Sequence, residues 1–199
     1  MPAAIERSQN WYKCTSGEPE MIHVPNGAIS GWGGNIRKGD ILTLGQVAGA
    51  PNSNYCLQAV ATATVIHAST LILGIADMDV IYSGTTIAAG TYMVPIVVPN
   101  ERTLFRLCLN EQFDAAGTNV IIGAAREIYR NTIATTPAET KDGSKGFYYV
   151  NGANTSGTNA TKVEVAQVDL TSWETYPSGS SDAKPYAWVR VIPAQRVIL

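Results

Sequence analysis

The sequence predicts an all-β fold, a β-barrel or β-sandwich with an extended N-terminal arm. Three observations carry that expectation. Runs rich in Val, Ile, Thr and Tyr recur along the 199 residues, about ten in all, separated by Gly, Pro and Asn turns. Within several runs apolar residues alternate at period two, the spacing of a strand and not of a helix. The first 38 residues differ from the rest: they are dense in Pro and Gly, yet hold large apolar side chains.

That opening stretch, residues 1–38, reads as an arm. Pro19, Pro25, Gly27, Gly31, Gly33 and Gly34 interrupt any long regular element. Trp11, Tyr12, Ile22, Ile29 and Trp32 are the kind of residue a disordered tail lacks. An arm that docks is expected, on its own domain, on a sister subunit or on a partner. Residues 39–199 then form the β domain.

The elements follow in order. "GDILTLGQVAG" starts with a turn at Gly39 and runs into Ile41, Leu42, Leu44 and Val47. "NYCLQAVATATVIHAS" is rich in β-branched residues. "TLILGIADMDVIYSG" places Asp77 and Asp79 two apart, on one face of a strand. "GTYMVPIVV" carries Pro95, and Pro99 follows it. Proline donates nothing to a ladder, so this strand is expected at a sheet edge or a barrel corner. Exposed apolar edges pair with other chains. Met93, Pro95, Val97 and Pro99 are therefore the expected self-association edge.

"PNER" is a turn. In "TLFRLCLN" Phe105, Leu107 and Leu109 face the core, and Leu104, Arg106 and Cys108 face the other way. "NVIIGAAREIYRN" fits a strand interrupted at Gly123 or a short helix through "AAREIY"; a strand pair is expected. Residues 132–161 read as a long loop with one short strand at Phe147–Val150. "TKVEVAQVDL" turns Val163 and Val165 inward, Lys162 and Glu164 outward. Residues 171–185 read as a polar loop. "YAWVRVIPAQRVIL" alternates Ala187, Val189 and Val191 with Trp188, Arg190 and Ile192.

Composition narrows the function classes. Charged residues make up 15%, against roughly 25% in an average soluble chain. Low charge with many small polar residues suits a surface covered by neighbours, or a secreted or virion β-protein. The net charge is −2, and Arg37-Lys38 is the densest basic stretch. Nucleic-acid binding needs a face that neutralises several phosphates, so no nucleic-acid partner is expected. Three widely spaced cysteines, Cys14, Cys56 and Cys108, are not a disulfide framework. They offer no Cys/His zinc spacing, and a reduced, cytosolic assembly is the simpler expectation. "MPAAIERSQNWYKC" lacks the apolar region of a signal peptide. No apolar run approaches the roughly 20 residues of a membrane span.

No catalytic constellation stands out, and an enzyme is not expected. Of the two histidines, His23 lies in the arm and His67 in a strand-like run. A Ser-His-Asp triad needs a histidine base, and no G-x-S-x-G elbow accompanies either one. Strand rise puts Asp77 and Asp79 about 7 Å apart, whereas a retaining glycosidase wants about 5 Å. "DMDVIYSG" lacks the third acidic position of a calcium loop. The pair reads as solvent-face carboxylates near a basic neighbour. "GWGGN" has no following "GK[ST]" and is no phosphate cradle. "KGD" at 38–40 is a tripeptide of the adhesive type that recurs by chance. "NTS" and "NAT" read as polar loop. No cofactor and no metal are expected.

The order of an apolar-anchored arm, "RKGDILTLGQV", "MVPIVVPNERTLFRLCLN" and a terminal "WVRVIPAQRVIL" resembles the capsid decoration, or cement, proteins of tailed bacteriophages. The resemblance covers residues 39–110 and the last dozen. It implies a β-barrel or sandwich that binds the outside of an assembled icosahedral shell and clamps neighbouring subunits. It also implies the major capsid protein as partner, a homotrimer, and residence on the virion surface after synthesis in the host cytoplasm. Aromatic residues are the usual interface anchors. Trp11, Tyr12, Ile22, Ile29 and Trp32 are then the expected capsid-binding residues. The alternative is a carbohydrate-binding or adhesive module of a phage tail or other virion part. Its sugar-stacking candidates are Tyr148, Tyr149, Trp173 and Tyr176.

Overall fold

The structure, a computed structural model, describes residues 11–31, 34–47, 50–58, 66, 69–109, 122–130, 148–150, 161–175 and 183–197. Among them eleven strands are present: β1 (Tyr12–Cys14), β2 (Met21–Pro25), β3 (Ile41–Val47), β4 (Ala50–Gln58), β5 (Gly74–Ala76), β6 (Met93–Val97), β7 (Thr103–Leu109), β8 (Ala125–Arg130), β9 (Tyr148–Val150), β10 (Thr161–Thr175) and β11 (Ala183–Val191). The chain is all-β, in two sheets. One has six strands in the order β1-β7-β11-β10-β8-β9, and β9 also lies parallel to β7, so this sheet curls back on itself. The other has five strands in the order β2-β6-β5-β3-β4, all antiparallel.

The five-stranded sheet feeds two cores. Ile41, Ile75 and Val97 join Phe105, Leu107, Val163, Val165, Val189 and Val191 of the six-stranded sheet. Leu42, Ala76, Val94 and Ile96 belong instead to a second core with Val24, Ile29, Ile36 and Val80. Successive strand residues point to opposite faces. Neighbours such as Ile41 and Leu42, or Ile96 and Val97, therefore enter different cores. A sheet buried on both faces has near-continuous apolar strands. That explains why "MVPIVV" and "TLILGIA" show no alternation in the sequence.

Several expectations meet a different arrangement. β6 is not an edge strand: β2 pairs with it on one side and β5 on the other. Pro95 is tolerated there for a local reason. Its carbonyl accepts from the Asp77 N–H at 2.9 Å, so its ring nitrogen faces the side where β5 has already ended at Ala76. The acidic pair is not on a strand face either, because Asp77 and Met78 form a bend. The loop expected at 171–185 is strand at both ends. β10 runs to Thr175, with Trp173 opposite Pro185 and Thr175 opposite Ala183. Lys162 is buried, because Thr70 and the 3-10 turn at Pro193–Gln195 cover it.

Other expectations hold. Ala125–Arg130 is a strand. Asn100 organises the "PNER" turn, accepting from the Arg102 N–H at 2.9 Å and the Thr103 hydroxyl at 2.8 Å. Phe105, Leu107, Val163 and Val165 are core. Most of the loop at 132–161 lies outside the described residues, apart from β9 at Tyr148–Val150.

Candidate interaction surface

The described residues among the first 38 are built into both sheets of their own chain. β1 lies along β7, with Tyr12 opposite Phe105 and Cys14 opposite Thr103. β2 lies along β6, with His23 opposite Pro95 and Pro25 opposite Met93. One of the arm anchors the sequence singles out, Ile22, thus meets the β6 strand at the β2–β6 pair, opposite Ile96.

The segment after β2 is pinned from within. Asn26 is fully buried. Its amide donates to the Ala88 carbonyl at 3.1 Å, and its Oδ1 accepts from the Tyr92 N–H at 2.7 Å. Its backbone N–H donates to the Tyr92 carbonyl at 2.9 Å, and its carbonyl accepts from Gly90 at 2.7 Å. Sequence reading passes over Asn26 as part of the "PNG" breaker. An amide able to donate and accept in the midst of a backbone turn is the signal it offered. Ile29 follows, bridged to Ile87 and 2% exposed. Asn35 accepts from the Tyr82 N–H at 2.6 Å.

The "RKGD" turn is packed, not presented. The Arg37 N–H donates to Asp40 Oδ2 at 2.9 Å. Gly39 has φ +94, and a Cβ there would stand 2.9 Å from the Trp11 ring. Lys38 Nζ pairs with Asp77 at 2.6 Å, and the Lys38 N–H donates to Asp79 at 2.7 Å. Both acids therefore converge on one lysine, the basic neighbour expected from the sequence. Tyr12 borders this cluster. Burial raises its hydroxyl pKa, and the nearby Asp77 carboxylate adds to the rise.

The anchors fall into distinct places. Trp11 and Tyr12 are half-buried against the first core, and Trp11 meets Tyr186 edge-on at 6.3 Å. Ile22 packs on the second core, and Ile29 is inside it. Ile29 is thus a core residue, not one that reaches a partner. Trp32, His67 and Tyr176 lie outside the described residues. The side chains of Tyr148, Tyr149 and Trp173 also lie outside the description.

The β6 residues divide as well. Val97 is fully buried and Pro99 is buried, so neither is open to a partner. Pro95 is half-buried and Met93 is 54% exposed. On the neighbouring strand Met21 is 40% exposed, on the same face as Met93 and Pro95 by register. Tyr92, at the start of β6, is 45% exposed. Along β6 this face therefore grades from core at Val97 to open apolar surface at Met93, while Met21 lies opposite Val97, at the far end of the pair from Met93. Sequence reading missed Met21 and Tyr92. Alternation in "MIHVP" held the signal for Met21, since the inward Val24 lies on the opposite face from it.

The outer edge of the pair is short, and β4 takes its end. β2 is five residues long, and Pro25 closes it. Even-numbered residues of β2 and its flanks bond toward β6, as the Val98 to Glu20 and Asn26 to Tyr92 bonds show. The nitrogen of Pro25 therefore faces away from β6, on the side where β4 already lies: Asn26 is bridged to Cys56 in parallel, and the Gly27 N–H donates to the Cys56 carbonyl at 3.0 Å. Exposed side chains, not backbone pairing, are the contact this end of β2 offers.

Two buried titratable groups serve the framework. Cys56 is fully buried with its thiol 3.7 Å from the Val24 carbonyl, and burial pushes its pKa up to about 12. Lys162 donates to the Thr70 carbonyl at 2.9 Å and to Gln195, and burial lowers its pKa. Among the described residues no helix is long and apolar enough to cross a membrane. No family model, curated protein or solved structure matches this chain.

Proposed function

We propose that this chain is a non-enzymatic structural protein of a virion. It binds the outer surface of an assembled capsid and stabilises it by clamping neighbouring subunits. The supporting observation is the neighbouring Met93 and Tyr92, both exposed at the start of β6, with Met21 exposed at the other end of the face that carries Met93. Exposed large apolar side chains gathered at one place offer an interaction site. Methionine and tyrosine suit that role, one by adapting its shape and the other by joining an apolar body to a polar tip. The partner is the major capsid protein, and the chain works as a homotrimer on the virion surface.

The mechanism is mass action. A protein that binds only the assembled shell stabilises it by its binding free energy. Many identical copies let each contact be weak. The test is co-sedimentation with emptied shells stripped of this chain. Saturable binding that Met93→Glu abolishes is the expected result, since Met93 is exposed and its change leaves the fold intact. Absence of binding by the unaltered protein overturns the proposal.

A further inference from the structure

We propose that the slot filled by β1 is an exchange site, which takes residues 11–14 of a second copy of this chain. The inference does not depend on a capsid. It rests on how differently the two N-terminal strands are held.

The slot is shaped for one segment. Glycine at position 39 leaves room for the Trp11 ring. Tyr186 meets that ring edge-on. Lys13 Nζ lies 4.2 Å from the centre of the Trp188 ring and donates to Gln167 at 3.0 Å. Arg106 donates its N–H to the Trp11 carbonyl, and Thr15 donates to the Arg102 carbonyl. Every partner here comes from distant sequence: the turn before β3, then β7, β10 and β11. A second copy presents the same groups, so it accepts the same segment with the same contacts.

The segment itself is detachable. β1 has three residues, all half-buried, and covers only the first part of the β7 edge. β9 takes the rest of that edge. Thr15–Glu20 joins β1 to β2, and these residues are exposed except for half-buried Pro19. This linker therefore crosses from one sheet to the other over the surface. Releasing β1 breaks contacts with the first core but leaves β2, Asn26 and the second core in place. The vacated slot is apolar, through Phe105 and its neighbours, and an identical strand closes it. Within one chain the linker supplies an effective concentration in the millimolar range. Exchange wins where copies are held together at comparable density.

Cys14 makes the exchange readable. It sits directly opposite Thr103, with Sγ 4.0 Å from Oγ1. One variant carries Thr103→Cys together with Cys14→Ser. The unaltered chain supplies Cys14. Neither can form this bridge within itself. The two are unfolded together, refolded at about 1 mM to match the linker's effective concentration, and oxidised. A covalent heterodimer, bridged between Cys14 and the cysteine introduced at position 103, is expected. Peptide mapping identifies the bridge. Thr103→Cys alone, with Cys14 kept, is the control. If it closes its own bridge while the mixture yields none, the proposal is overturned.

A second measurement covers failure to oxidise. Deleting Ser16–Gly17–Glu18 shortens the linker so that β1 cannot reach its own slot. Light scattering then expects a shift from smaller to larger closed assemblies. A variant that keeps the unaltered protein's mass, with Trp11 fluorescence turned to that of a solvated indole, overturns the proposal.

Discussion

Residues 11–20 and 21–40 look alike in sequence, both rich in breakers and both holding aromatic or aliphatic anchors. They are held by opposite means. The first stretch touches its domain through half-buried side chains on a three-residue strand. The second places Asn26, Ile29, Asn35, Ile36 and Asp40 in the interior and closes one face of the five-stranded sheet. An arm in the sense of a removable appendage therefore describes at most the first of them. What separates the two is buried polar satisfaction. Asn26 and Asn35 replace strand pairing with side-chain bonds to backbone, which lets an irregular segment be buried at all.

The largest expected effect tests the woven stretch. Asn26→Ala removes an acceptor from the Tyr92 N–H and a donor to the Ala88 carbonyl. Orphaned groups of this kind cost about 1–3 kcal/mol each, so a loss of about 3 kcal/mol is expected. Urea unfolding of the purified variant measures it. A loss below about 1 kcal/mol would mean that the second core holds without its polar pin.

A pH series sharpens the same region. The Cys56 thiol, buried beside Val24, has its pKa pushed from 9.0 to about 12 in the folded chain. Unfolding exposes it to water, where it ionises at the ordinary value. The stability it contributes is whole below about pH 9 and is lost as pH rises toward 12. The stability difference between the unaltered protein and Cys56→Ala should fall above about pH 9, by up to about 1.4 kcal/mol per unit. A difference that stays flat across that window would show the thiol to be solvated.

Trp11→Ala probes the other side of the comparison. Trp11 is half-buried, and it meets Tyr186 edge-on and packs over Gly39. A loss of about 1–2 kcal/mol is expected, below the range for a fully buried tryptophan. A loss equal to that of Asn26→Ala would erase the distinction between clipped and woven stretches.

How much of this was legible follows from where the information lies. Alternation placed Phe105, Leu107, Val163 and Val165 correctly, because one face of their sheet meets a core. It failed for β6, whose two faces enter different cores, so an apolar run with a proline read as an edge. Pro95 sits harmlessly because β5 stops beside it, and the length of a neighbouring strand is not written in "MVPIVV". Lys162 alternates with Val163 as a surface residue would; only the return of the C-terminal turn buries it. Placing the exposed Met21 and Met93 on one face needed the register between β2 and β6, whose residues lie about seventy positions apart.

The smallest effect concerns the acidic pair. Lys38 is 43% exposed, and its ion pair with Asp77 is a surface one. Such pairs contribute about 0–1 kcal/mol and weaken with salt. Lys38→Ala should therefore cost less than about 0.5 kcal/mol, and the cost should vanish in high salt. Asp79→Ala is different, because Asp79 accepts from the backbone N–H of Lys38 at 2.7 Å, a bond that no substitution at position 38 removes. Its loss should cost about 1 kcal/mol and resist salt. The two carboxylates that looked equivalent in "ADMD" thus separate by partner: one holds a side chain, the other holds the turn under Trp11. Equal, salt-sensitive losses for both would return them to a single surface charge cluster and remove the link between this turn and the slot that β1 fills.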